Sequence, residues 1–68
     1  MNQPIKYPHI TVNLEGEDGN AFSILGRVTK AMRRGGVSQV DIDAFRVEAT
    51  AGDYDHLLQT VFRTVEVE

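Results

Sequence analysis

Apolar residues recur at helical spacing in the middle of this chain and at every second position near its two ends. Ala21, Ile24, Leu25, Val28 and Met32 follow one another at intervals that place them on one side of a helix across residues 18–36. Phe22 widens that side. Asp18 or Asn20 can cap the start by accepting a bond from a free backbone N–H. Gly35-Gly36 supplies the stop, because glycine tolerates the left-handed conformation that closes a helix. Gly26 lies inside the helix at a cost of ~1 kcal/mol relative to alanine, which predicts another element crossing closely there.

Ahead of this helix, Ile10, Val12 and Leu14 alternate with Thr11, Asn13 and Glu15, the period of a strand with one buried face, starting at His9. Pro4 and Pro8 disfavour regular structure before it. Residues 1–8 therefore read as an extended or disordered lead-in, and residues 9–68 as a single α+β domain. The stretch Glu15-Gly16-Glu17-Asp18-Gly19 reads as a turn.

A second helix is announced by Ser38 as N-cap, with Asp41 as a short capping-box acid and Val37 and Ile42 placed as a hydrophobic staple. Ile42, Phe45 and Ala49 form its narrow apolar stripe. It is expected to end near Ala51, with Gly52 at the left-handed closing position. Asp53 then caps a third helix, and Asp55 complements the positive end of its dipole. Tyr54, Leu57, Leu58, Val61, Phe62 and Val65 match the helix template over its whole length. The closing Thr64-Val65-Glu66-Val67-Glu68 alternates again and reads as a short strand, with Val65 at the join between helix and strand.

The predicted order is strand-helix-helix-helix-strand. The two strands pair as a small two-stranded sheet packed on a three-helix layer, with parallel and antiparallel pairing both open. The predicted core is Ile10, Val12, Leu14, Phe22, Leu25, Val28, Met32, Ile42, Phe45, Leu57, Leu58, Val61 and Phe62.

Composition narrows the function classes. A chain of 68 residues is near the lower size limit for a self-sufficient core. The absence of cysteine excludes disulfides and thiolate metal sites. No apolar run approaches the ~20 residues of a membrane helix, and MNQPIKYPHI has no signal-peptide core, so a cytoplasmic protein is expected. The net charge of −3 argues against a chain that binds nucleic acid over its whole surface. Yet Arg27, Lys30, Arg33 and Arg34 gather four of the seven basic residues into one part of the first helix. Arg27, Lys30 and Arg34 share a face distinct from the apolar stripe. That face fits phosphate, an acidic partner or the chain's own acids; equally, it is what a solvated helix end looks like.

The runs DGNAF and ILG in the first helix, the run EATAGDYDHLL and the closing Val-Glu-Val resemble a family of short proteins in bacterial and phage genomes. The shared pattern is DGNAF, an ILG-type helix and EA-x-x-GDYDHLL, and it covers most of the chain. The resemblance implies a bacterial or mobile-element origin and attaches no activity.

Three motifs invite a chemical reading. GDYDH gathers Asp53, Asp55 and His56, and the spacing of Asp53 and His56 would let both face one metal or substrate. The plainer reading has Asp53 capping, Asp55 answering the dipole and His56 solvated on the outer face. EGEDGN falls short of a calcium loop, which needs ligands at alternate positions and a twelfth-position acid. Ser23 and Ser38 stand at helix starts, where serine caps. Neither enzyme activity nor a cofactor or metal is expected.

The leading expectation is a small non-enzymatic accessory protein that binds another protein. The first strand, at Ile10, Thr11, Val12 and Asn13, is the expected docking edge, for a partner or for a weak homodimer. The alternative is a nucleic-acid-associated module using the basic face, and the distant third is a hydrolase or metal enzyme built on GDYDH.

Overall fold

The computed structural model describes residues 4–14 and 19–68. Among these the order is β1 (Tyr7–Val12), α1 (Ala21–Arg34), α2 (Gln39–Ala49), α3 (Tyr54–Thr64) and β2 (Val65–Val67). This is the expected α+β arrangement of strand, three helices and strand, with a two-stranded sheet packed against the helices. The turn at residues 15–18, with its EGED acids and the alternative cap Asp18, lies outside the described residues.

The strands pair in parallel, with Tyr7 opposite Val65, Thr11 opposite Glu66 and Val12 opposite Val67. A parallel pair needs a crossover between its strands, and the three helices provide it. The register is irregular between Tyr7 and Thr11, around Pro8, which has no backbone N–H to give. Beyond the ladder, Lys6 N–H donates to the Arg63 carbonyl and Glu68 N–H to the Val12 carbonyl, each at 3.0 Å. The first strand thus begins at Tyr7 and ends at Val12, two residues earlier at both ends than its alternation predicts.

All three helices start as their sequences dictate. Asn20, Ser38 and Asp53 accept bonds from the backbone N–H groups of Phe22, Asp41 and His56. Helix α1 closes in a Schellman motif: Val37 N–H donates to the Met32 carbonyl at 3.0 Å and Gly36 N–H to the Arg33 carbonyl at 3.2 Å. Gly36 has φ 89°, the left-handed conformation the motif requires. Helix α2 departs from expectation. It ends at Ala49 with Thr50 as its cap, so Gly52 lies beyond the closing position. Gly52 makes room instead, since a Cβ there would stand 2.9 Å from the Cβ and Cγ of His56.

The core gathers Ile10, Val12, Ile24, Leu25, Val28, Met32, Ile42, Phe45, Ala49, Leu57, Val61 and Val65. Leu14, Val37 and Leu58 are half-buried against it. Of the expected core residues, Leu14 and Leu58 thus lie at its edge, and two more are exposed instead: Phe22 is 83% exposed and Phe62 51%. At 100° per residue, Phe22 stands about 90° from the middle of the buried row of α1. On α3 the buried face is rotated away from Phe62 toward Thr60 and Thr64. Those threonines, with Thr29 on α1, are buried because each hydroxyl donates to the carbonyl four residues back, at 2.7–2.8 Å. A threonine satisfied in this way packs much like valine.

Gly26 also corrects an expectation. Among the described residues nothing lies within 4 Å of where its Cβ would stand, so none of the described elements crosses there. The close approach is at Gly35, where an added Cβ would meet Ile10 Cδ1 at 2.6 Å.

Candidate functional site

Helix α1 turns its buried row onto β1, and the rim of that contact forms a groove. Asn13 accepts a bond from Arg27 Nη1 at 3.3 Å near one end, and Ile10 packs on Gly35 near the other. The two elements therefore run in opposite senses, side by side. Ile10 and Val12 face the core, while His9, Thr11 and Asn13 are exposed. Val12 accepts from Glu68 N–H, so its polar backbone groups face β2. Backbone groups of neighbouring residues in an extended strand point to opposite edges, so those of Thr11 face away from β2.

Along this edge lies a solvent-open groove of about 760 Å³. Its β1 wall is His9 to Asn13. Its α1 wall includes Phe22, Gly26, Arg27, Lys30 and Arg34. Two sites predicted separately are thus one surface: the edge residues Ile10, Thr11, Val12 and Asn13, and three of the four basic residues. Arg33, the fourth, does not line the groove. Arg27 is held by Asn13, whereas Lys30 and Arg34 are exposed, with no ion-pair partner among the described residues. Three of the chain's own acids, Asp41, Asp43 and Glu48, are engaged away from this face. Tyr7 Oη donates to Asp41 at a long 3.4 Å, Gln39 to Asp43 at 2.9 Å, and Glu48 meets His56.

Sequence reasoning missed Phe22 and Gly26 as groove residues. The signal was available: Phe22, Gly26, Lys30 and Arg34 stand four apart and form one ridge row of the helix. Their mixed chemistry, aromatic then glycine then cation, hides the row from a search for apolar periodicity.

The GDYDH cluster resolves into structural roles. The Asp53 carboxylate accepts from His56 N–H at 2.9 Å, as a cap. The His56 ring turns away from it and is half-buried rather than solvated. Its Nε2 lies 2.9 Å from the Glu48 carbonyl oxygen and 3.1 Å from the Glu48 carboxylate. With two acceptors in reach, the tautomer that suits this contact has its proton on Nε2. This contact clasps the end of α2 to the start of α3, and Asp55 stays exposed. Among the described residues, no three His, Cys, Asp or Glu side chains come together to hold a metal. No helix among them is long and apolar enough to cross a membrane.

Comparison of the chain with family models, with curated proteins and with solved structures gives no match.

Proposed function

We propose that this domain is a non-enzymatic accessory protein that docks a segment of another protein along the groove between β1 and α1. One observation carries the reading: among the described residues the edge of β1 at Thr11 pairs with no second strand, and it lines the same open groove as the cations Lys30 and Arg34. A strand edge offers backbone donors and acceptors to any extended segment, and side chains beside it select among segments. Charge also chooses between the occupants expected for this edge. In a homodimer paired symmetrically through β1, two copies of Arg27, Lys30 and Arg34 would approach one another, and like charges oppose that pairing. A partner of opposite charge meets no such cost.

Selection of displayed peptides tests the docking reading, run in parallel on the parent and on a Lys30→Glu/Arg34→Glu variant. Peptides enriched on the parent and lost on the variant support it. Enrichment indifferent to the variant overturns the groove as the site.

A second reading has its own observation. Phe22, 83% exposed, stands in line with Lys30 and Arg34, and an aromatic face beside cations suits stacking and phosphate contact with single-stranded nucleic acid. Retention of a labelled oligonucleotide that falls steeply with salt on the parent, and is absent in Phe22→Ala, would make this reading the leading one.

A further inference from the structure

We infer that the occupant of the groove is an extended acidic segment whose acids stand two residues apart, preceded at the same interval by apolar residues. This rests on the docking reading and adds the chemistry and spacing of the partner. The row Phe22, Gly26, Lys30 and Arg34 lies on the groove wall of α1. Residues four apart on a helix are separated by about 6 Å along its axis. Residues two apart on a strand are separated by about 6.8 Å and point to the same face. Measured along the axis, a strand laid along β1 therefore presents alternate side chains nearly in step with the α1 row, which turns by about 40° at each step.

Each position then states a preference. Lys30 and Arg34 take carboxylates at successive same-face positions. At Gly26, among the described residues, nothing lies within 4 Å of where a Cβ would stand, which leaves a notch for an apolar side chain. Phe22 offers an exposed ring to a second one. Direction follows from the contacts of Asn13 with Arg27 and of Ile10 with Gly35, which show β1 and α1 running oppositely. A segment antiparallel to β1, the stronger of the two pairings, runs with α1. Its order from the N-terminus is apolar-x-apolar-x-acid-x-acid.

The probe is an end-capped, fluorescently labelled seven-residue peptide of that pattern, with threonine at each x. The control is its isomer with the two acids adjacent, so that one points away from the row. Binding to the full chain is followed by polarisation, and the site by amide NMR shifts at Thr11 and Lys30. The expected result is a patterned peptide at least tenfold tighter than its isomer, with shifts at both residues. Lys30→Gln/Arg34→Gln should erase the difference. Gly26→Ala, which fills the notch while favouring the helix, should weaken the patterned peptide several-fold without loss of melting temperature. Equal binding of the two isomers overturns the spacing and leaves the docking reading standing. No shift at Thr11 or Lys30 with either peptide at millimolar concentration overturns both. Shifts there with a single-stranded oligonucleotide and with neither peptide overturn both in favour of nucleic acid.

Discussion

Ile10 fills the space that a side chain on Gly35 would need. A Cβ at Gly35 would stand 2.6 Å from Ile10 Cδ1 and 2.7 Å from its Cγ1. This one contact sets how closely α1 lies on β1, and so the width of the groove between them. Ile10 is buried in the core and has little room to yield. Gly35→Ala is therefore expected to cost ~1–3 kcal/mol through overpacking. Gly26→Ala should stabilise by up to ~1 kcal/mol, because the position is helical and open. Paired thermal melts check the opposite signs. If both variants move together, the close approach is misplaced.

On α3, Leu57 and Leu58 are neighbours with different roles. Leu57 is fully buried and Leu58 half-buried at the edge of the core. Leu57→Ala should cost ~2–5 kcal/mol and Leu58→Ala clearly less. Phe22→Ala should change stability by no more than ~0.5 kcal/mol, since so much of the ring already meets water. Urea titrations of the three variants rank them, and a Phe22→Ala loss as large as that of Leu57→Ala would contradict the packing described for α1.

The buried threonines make a sharper test. Thr60→Val keeps the volume, removes the hydroxyl and leaves the His56 carbonyl with its helical partner. The expected change is within ~1 kcal/mol, because the lost hydroxyl was satisfied inside its own helix. Thr60→Ala opens a cavity and should cost more. A Val variant worse than the Ala variant in denaturant melts would show that the hydroxyl matters beyond its own satisfaction.

At the α2–α3 corner, two contacts hold the turn together. Asp53→Ala removes the cap of α3 and should cost ~0.5–2 kcal/mol. Glu48→Gln keeps the backbone carbonyl that His56 Nε2 meets and removes only an exposed charge, so its effect should be below ~1 kcal/mol. A Glu48→Gln loss larger than that of Asp53→Ala, measured by thermal unfolding, would mean that the carboxylate rather than the carbonyl holds the ring.

The sequence alone determined the elements and most of the helix ends, though not the end of α2 or the bounds of β1. The caps Asn20, Ser38 and Asp53, the Gly35-Gly36 stop and the join at Val65 are all legible, because capping and closing are interactions among residues a few positions apart. The order of elements follows from the same local signals, and with it the α+β class. Relations between distant residues were decided only by the tertiary structure. Three helices between the strands permit either direction, and parallel pairing is decided by how the packed helices bring Val65 beside Tyr7, which no single segment encodes. The burial of Thr60 and Thr64 in place of Phe62 depends on which way α3 is rotated against its neighbours. Gly26 and Gly35 look alike in the sequence, yet only Gly35 meets Ile10. The groove is of the same kind. The strand edge and the basic face could each be read from the chain. Their meeting on one surface depends on α1 packing antiparallel to β1 beside the edge that β2 leaves open, and packing of that kind is a property of the assembled core.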